Sequence, residues 1–235
     1  VSWTETRHAN PEALAAALAD ELEGIVRAAL ARRGSALLAL AGGRTPFPIY
    51  RRLAAAALDW SRVVLLATDE RWVDHHHPAC NGRELRAAFA AAQGVHILPL
   101  TPGSAEGGAS AELAQATLAS LPAPFDAVLL GMGGDGHFAS LFPGSAELAA
   151  GLDPDSPDDA LVVRPDPLPP EAPFPRISLS AARLLRSHRL LLAVTGEAKR
   201  AVLDRARTRP DPSTLPISAL LHHPATQVEI HWSPQ

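Results

Sequence analysis

His137 stands in the stretch GMGGDGHFASLFPGS, residues 131–145. An imidazole moves protons near neutral pH, and glycines around it let the backbone turn sharply and a substrate come close. Asp135, two residues earlier, can orient or charge-stabilise that ring only if the turn folds back on itself. The residues Gly131 to Gly136 also fit G-x-G-x-x-G, the spacing of a dinucleotide-binding turn. That use needs a helix opening on the last glycine and an acidic residue about 20 positions on, at a strand end. Pro143-Gly144 would stop such a helix within two turns, and the acidic residues at that distance, Asp153 and Asp155, fall among prolines. A nicotinamide or flavin is therefore not expected. The loop by itself supports a proton-transferring histidine and a histidine merely packed after a turn equally well.

Three other segments carry groups suited to chemistry. In AGGRTP (41–46), the backbone N–H groups of Gly42, Gly43, Arg44 and Thr45 could hold a phosphate at a helix amino end. The alternative is a tight turn in which Thr45 caps the helix ahead of Pro46. In TDERWVDHHHPACN (68–81), Asp69 and Arg71 share parity on an extended chain and so can point one way. The alternative has Asp69 capping a loop and Glu70 solvated. His75, His76 and His77 suggest a metal, but adjacent side chains diverge and no Cys, Asp or Glu has ligand spacing. A solvated loop with one useful histidine is expected there, and no metal. In TGEAKR (195–200), Lys199 falls in the first turn of a helix, where a cation and the amino end together suit an anion. It is the only lysine in the chain, although a solvated helix lysine is the ordinary alternative. Arg176 opens a strand after a proline-rich stretch and either enters the site or faces solvent.

These segments follow apolar runs in a regular order. Residues 10–33 begin with Asn10-Pro11 and carry apolar residues at helical spacing. The runs 35–43, 62–71, 125–134 and 188–196 read as buried strands, the second ending in charge. A short strand is expected at 95–100 and an alternating one at 176–180. The alternating segment 226–232 reads as an edge strand. Helices are expected at 46–58, 82–92, 109–121 and 197–207, with a loop at 101–108. Strands alternating with helices imply an α/β fold, Rossmann-like, with a mostly parallel sheet and helices on both faces. Ligands of such sheets sit beyond the carboxyl ends of the strands, which is where Gly42, Asp69, His137 and Lys199 fall. Residues 153–175 are crowded with proline and aspartate and could pass for a linker. Only about 60 residues follow, few for an independent core, so residues 1–235 are read as one domain with a long surface excursion.

Composition narrows the partners. With 47% hydrophobic and 20% charged residues, the chain is an ordinary globular sequence. Its net charge of −4 offers no basic field for nucleic acid. No basic amphipathic stretch suits a membrane surface, and no apolar run is long enough to cross a bilayer. The single cysteine, Cys80, fits a reducing compartment, and the amino end lacks the apolar core of a signal peptide, so a cytoplasmic location is expected.

Taken together and in order, these pieces resemble the 6-phosphogluconolactonase family, within the wider group of glucosamine-6-phosphate deaminases. AGGRTP is similar to that family's S-G-G-S-T-P, and DERWVDHHHPACN to D-E-R-x-V-P followed by H-P-D-S-N. The stretch 131–145 is similar to G-x-G-x-D-G-H-x-A-S-L-F-P-G, and RISL with GEAKR to the later arginine and G-x-x-K elements. The resemblance implies hydrolysis of the δ-lactone of 6-phosphogluconate, in the pentose phosphate pathway, without metal or organic cofactor. It implies that His137 is the catalytic histidine, with Asp69 and Arg71 beside it. It places Gly42, Gly43, Arg44 and Thr45 in the phosphate loop and Arg176 and Lys199 near the phosphate. Gly133, Asp135, Gly136 and Asn81 are expected to support the loops. Arg44, Asp74 and Cys80 depart from the family's serine, proline and serine. A helical tail beyond HWSPQ is also expected from the pattern. The deaminase branch differs: it continues the histidine loop as I-A-F-N-E-P and reads D-E-Y, where this chain has FASLFP and DER. A non-catalytic sugar-phosphate sensor on the same fold would keep AGGRTP and Lys199 yet lose His137 or Asp69, and both are present.

Overall fold

The long first helix shows how local sequence sets the frame. In this computed structural model, which describes residues 3–235, α1 spans Pro11–Arg33. The Asn10 side chain accepts the Ala13 N–H at 2.8 Å, as a helix N-cap does. Gly34 ends the helix at φ 74°, a left-handed conformation that favours glycine. Leu14, Leu18, Leu22 and Val26 recur at helical spacing and are buried.

The remaining elements are β1 (Trp3–Arg7), β2 (Ala36–Leu40), α2 (Phe47–Ala54), β3 (Val63–Ala67), β4 (Asp69–Arg71), α3 (Asn81–Ala88), β5 (His96–Leu98), α4 (Glu112–Ala119), β6 (Ala127–Gly131), α5 (Leu148–Leu152), β7 (Ala160–Val163), β8 (Arg176–Leu179), α6 (Ala181–Leu185), β9 (Leu190–Thr195), α7 (Glu197–Thr208), α8 (Ile217–Leu221) and β10 (Val228–Ser233). Seven strands form one sheet in the order β1-β10-β9-β6-β2-β3-β5, and every pairing in it is parallel. Every residue of β2 and nearly all of β9 is buried, which requires cover on both faces of the sheet. Helices flank it, with α1 packed on β2 and β10, α3 on β3 and α7 on β9. No helix among the described residues is long and apolar enough to cross a membrane.

The chain leaves this sheet at one residue. Residues 62–71 are not a single strand. Thr68, buried between β3 and β4, donates its N–H to Leu40 in the main sheet and accepts the Leu179 N–H in a second one. That second sheet is antiparallel, in the order β4-β8-β7. No turn residue marks the switch in the sequence, and the chain stays buried through Thr68, Asp69 and Glu70 although its residues there are polar. Nor does 176–180 extend the main sheet. It pairs Arg71 with Arg176 and brings β7, from within 153–175, alongside.

The expectation that 226–232 is an edge strand is corrected. β10 lies between β9 and β1, and the edge belongs to β1, which the composition of the amino end did not suggest. Alternation tells which face of a strand is covered, not whether both its sides are paired. Glu5 on β1 accepts hydrogen bonds from Arg200 and Arg207 of α7, so the edge strand and that helix are clamped together. The five-residue helices α5, α6 and α8 are too short for a periodic signal.

Candidate active site

All the parallel strands end on one side, so the segments after β2, β3, β6 and β9 meet beyond their carboxyl ends. They enclose a cavity of about 340 Å³, completed by Pro169, Glu171 and Ala172 from the proline-rich excursion. Gly42, Gly43, Arg44, Thr45, Asp69, Arg71, Asn81, Gly133, His137, Arg176 and Lys199 all line it, whereas Asp135 and Gly136 do not.

After β2, the N–H groups of Gly42, Gly43, Arg44 and Thr45 have no protein acceptor among the described residues. Free donors at the approach to a helix make an anion seat without any charged side chain. Gly42 is required for a steric reason: a Cβ there would lie 2.2 Å from Oδ1 of Asn81. Thr45 does not cap α2. Its Oγ1 lies 3.3 Å from Oγ1 of Thr195 at the end of β9, and Pro46 takes the cap position without a side-chain bond. Arg44 is exposed and carries no hydrogen bond among the described residues, so its cation faces the open mouth.

After β3, Asp69 and Arg71 both face the cavity, as their shared parity requires. Asp69 is buried and its Oδ2 accepts the Ser140 hydroxyl at 2.5 Å. The Arg71 Nη1 donates to the Ala79 carbonyl at 2.7 Å, which holds the guanidinium along the loop. Glu70 is not solvated. It is buried on the opposite side and its carboxylate accepts the N–H groups of Arg71, Asn81 and Gly82 at 2.7–2.8 Å, and the Cys80 thiol at 3.3 Å. Burial raises the pKa of Glu70, against the lowering effect of those donors. Cys80 makes two contacts of the kind a hydroxyl would: it donates to Glu70 and accepts the Arg83 N–H as the cap of α3. Asn81, thus placed, donates its amide to the Asp69 carbonyl at 2.8 Å. The histidine triplet serves the loop: His75 bonds to Thr101, and Nδ1 of His77 accepts the Ala79 N–H. No three metal-ligating side chains gather among the described residues.

After β6 the glycine turn does fold back. The Gly136 N–H donates to Gly133, and the Gly133 N–H to the His137 carbonyl. Nδ1 of His137 comes within 2.6 Å of Oδ1 of Asp135, which also accepts the His137 N–H at 3.1 Å. Burial works to raise the Asp135 pKa, but the hydrogen bonds and charge of His137 outweigh it and hold the carboxyl below its usual range. A Cβ on Gly133 would lie 2.2 Å from the His137 ring, so this glycine makes room for the imidazole. Gly136 adopts φ 82°, a glycine conformation that turns the chain. No helix opens on Gly136, and the nucleotide reading lapses with it. Phe142 packs its ring 4.3 Å from that of His137.

Two cations complete the wall. The Arg176 guanidinium lies 5.0 Å from the centre of Phe142, and it donates to the carbonyls of Ala172 and Phe174. Burial lowers its pKa. Lys199, in the first turn of α7, has no hydrogen-bond or ion-pair partner among the described residues. Burial lowers the pKa of its ammonium and the Asp135 charge opposes the shift. The sequence assigns no role to Ser140 or Phe142 and offers Glu70 only as a solvated residue. Each lies inside a motif already quoted, and only contact reveals its part.

The family of glucosamine-6-phosphate isomerases and 6-phosphogluconolactonase matches residues 9–232. A 6-phosphogluconolactonase of Rhizobium meliloti is 37% identical over 227 residues, covering 96% of each chain. One from Pseudomonas aeruginosa is 37% identical over 92% of this chain and 89% of its own. The crystal structure of a 6-phosphogluconolactonase from Shewanella baltica superposes with a TM-score of 0.90 at 34% identity, over 98% of this chain and 97% of that one. With a family match over nearly the whole chain, relatives alike over their full length and the fold the same, the chain belongs to the glucosamine-6-phosphate isomerase/6-phosphogluconolactonase family.

Proposed function

We propose that this protein hydrolyses 6-phospho-D-glucono-1,5-lactone to 6-phosphogluconate, a step of the pentose phosphate pathway, with His137 as general base. The observation that carries this reading is the Asp135–His137 pair, whose imidazole lines a cavity that also contains four backbone donors unpaired among the described residues. With the Nδ1 proton held on Asp135, Nε2 of the neutral ring is the acceptor. It takes a proton from water as the oxygen adds to the lactone carbonyl. Arg71 supplies positive charge for the developing oxyanion. Collapse breaks the bond to the ring oxygen, which recovers the proton from His137 and leaves as the sugar hydroxyl. No protein nucleophile, metal or organic cofactor enters this route. A δ-lactone is an activated ester, and positioning with one base and one cation suffices.

In this reading the substrate phosphate sits on the Gly42–Thr45 donors with Lys199 beside it, and Arg176 contributes positive potential from across the cavity. Asp69, fixed through Oδ2 by Ser140 and through Oδ1 by the Thr68 hydroxyl at 3.4 Å, offers its remaining lone pairs to the substrate hydroxyls or the attacking water. The apolar contact of Phe142 with His137 favours lactone hydrolysis over deamination. The deaminase branch places a glutamate directly before the proline, and here that position is a phenyl ring. The test generates the lactone enzymatically and follows its loss above the spontaneous rate. Acceleration is expected, with a kcat about 10²–10⁴-fold lower for His137→Ala. No acceleration by the intact protein overturns the reaction, and an unchanged kcat in the variant overturns the role of His137.

A further inference from the structure

Lys199 is the one lysine in 235 residues, and it lies in the wall of the cavity rather than on the outer surface. Its ammonium has no carboxylate or carbonyl partner among the described residues, whereas Arg200, next in sequence, is tied to Glu5 and Asp204. The unpaired N–H groups of Gly42 to Thr45 line the same cavity. An amine placed beside an anion seat meets any phosphorylated carbonyl compound at high effective concentration. Desolvation enlarges the fraction of neutral, nucleophilic amine, since burial favours the uncharged form of a lysine.

We infer that Lys199 is a covalent capture site for phosphorylated aldehydes, formed by an unpaired amine set beside the phosphate-binding backbone. The amine nitrogen adds to the aldehyde carbon to give a carbinolamine. Loss of water then leaves the imine, with no oxidant or reductant required. Nε2 of His137, in the same wall, can take up the proton that the amine sheds on addition and return it to the departing hydroxyl, so the step balances with loss of one water. The adduct fills the cavity, so a phosphorylated aldehyde acts as a reversible covalent inhibitor. The lysine-free exterior makes the site unique on the chain apart from the α-amino group. The inference rests on the phosphate seat proposed above, but not on the lactone chemistry.

The probe is pyridoxal 5′-phosphate, with pyridoxal as the arm lacking phosphate. Each is incubated with the whole protein, trapped with borohydride and mapped by peptide mass spectrometry. One adduct per chain is expected at Lys199, forming about tenfold or more faster with the phosphorylated aldehyde. Inorganic phosphate should slow it, and Lys199→Arg should remove it while any label on the amino-terminal α-amino group persists. Labelling confined to the amino terminus, equal rates for the two aldehydes, or indifference to phosphate overturns the inference. The readout is mass, so a protein that labels at Lys199 yet fails to hydrolyse the lactone separates this site from the proposed reaction, and the converse result does so too.

Discussion

The Ser140 hydroxyl donates to Oδ2 of Asp69 at 2.5 Å, tying the loop that carries His137 to the strand that carries the carboxylate. The same residue receives a second tie, since its N–H donates to the Ser178 hydroxyl at 3.1 Å. Between His137 and Ser140, Ala139 takes φ 47°, a left-handed conformation that a side chain adopts at a cost. The two serine contacts therefore hold in place a backbone that would otherwise relax. Ser140→Ala is expected to lower kcat/KM roughly tenfold, the effect of losing one hydrogen bond to a charged group. Ser140→Thr keeps the hydroxyl and should recover most of it. Steady-state kinetics on both variants checks this, and equal losses in both would mean that the hydroxyl is not what matters.

Gly133 lies under the imidazole, so a side chain there collides with His137 before it disturbs any part of the core. Gly133→Ala should lower kcat by about 10²-fold by displacing the ring. The cost in stability should stay within about 1–3 kcal/mol, as for other overpacked sites. Activity and thermal melting measured together distinguish a displaced base from a misfolded protein.

Glu70 accepts three backbone N–H groups and a thiol with one carboxylate. In Glu70→Gln one oxygen becomes an NH₂ group and faces donors. A loss of about 2–4 kcal/mol is expected from the buried unsatisfied groups. Because Glu70 also sets the course of the chain from Arg71 to Asn81, KM and kcat should both worsen. Denaturant unfolding and kinetics test the two effects, and a variant of unchanged stability contradicts the first.

Glu5 joins the edge strand to α7. Burial acts to raise its pKa, but hydrogen bonds from Arg200, Arg7 and Arg207 prevail and lower it from 4.5 to about 2. A carboxylate depressed on folding contributes stability above its unfolded pKa, and that contribution is lost as pH falls towards the folded value. Glu5→Gln should therefore melt lower than the native protein at pH 7, by roughly 2–4 °C for each kcal/mol lost in a chain of this size. The gap should narrow below pH 4.5 and close towards pH 2. A gap independent of pH would mean that the carboxylate charge is not its source.

Much of the site is readable from the chain because its parts are local. The Asn10 cap, the glycines of AGGRTP, the parity of Asp69 and Arg71, and the place of Lys199 after a strand all follow from neighbours within a turn or two. The parallel sheet then brings those distant segments together, since every strand of such a sheet ends on the same side. Whether Glu70 is solvated stays open in the sequence, because charge says nothing of which side of a strand has partners waiting. The extended run 62–71 likewise carries no turn residue at Thr68, where the chain changes sheet while remaining buried.

By itself, then, the sequence determined the α/β order, the family and the residues that reach the cavity. Each is a matter of residue type and spacing along the chain. Only the tertiary structure decided that Asp135 turns back onto His137, that Ser140 fastens Asp69, that Phe142 lies against the imidazole and that Lys199 stands without a partner among the described residues. Those are distances between side chains brought together by the closure of turns and sheets, and residue order alone does not specify them.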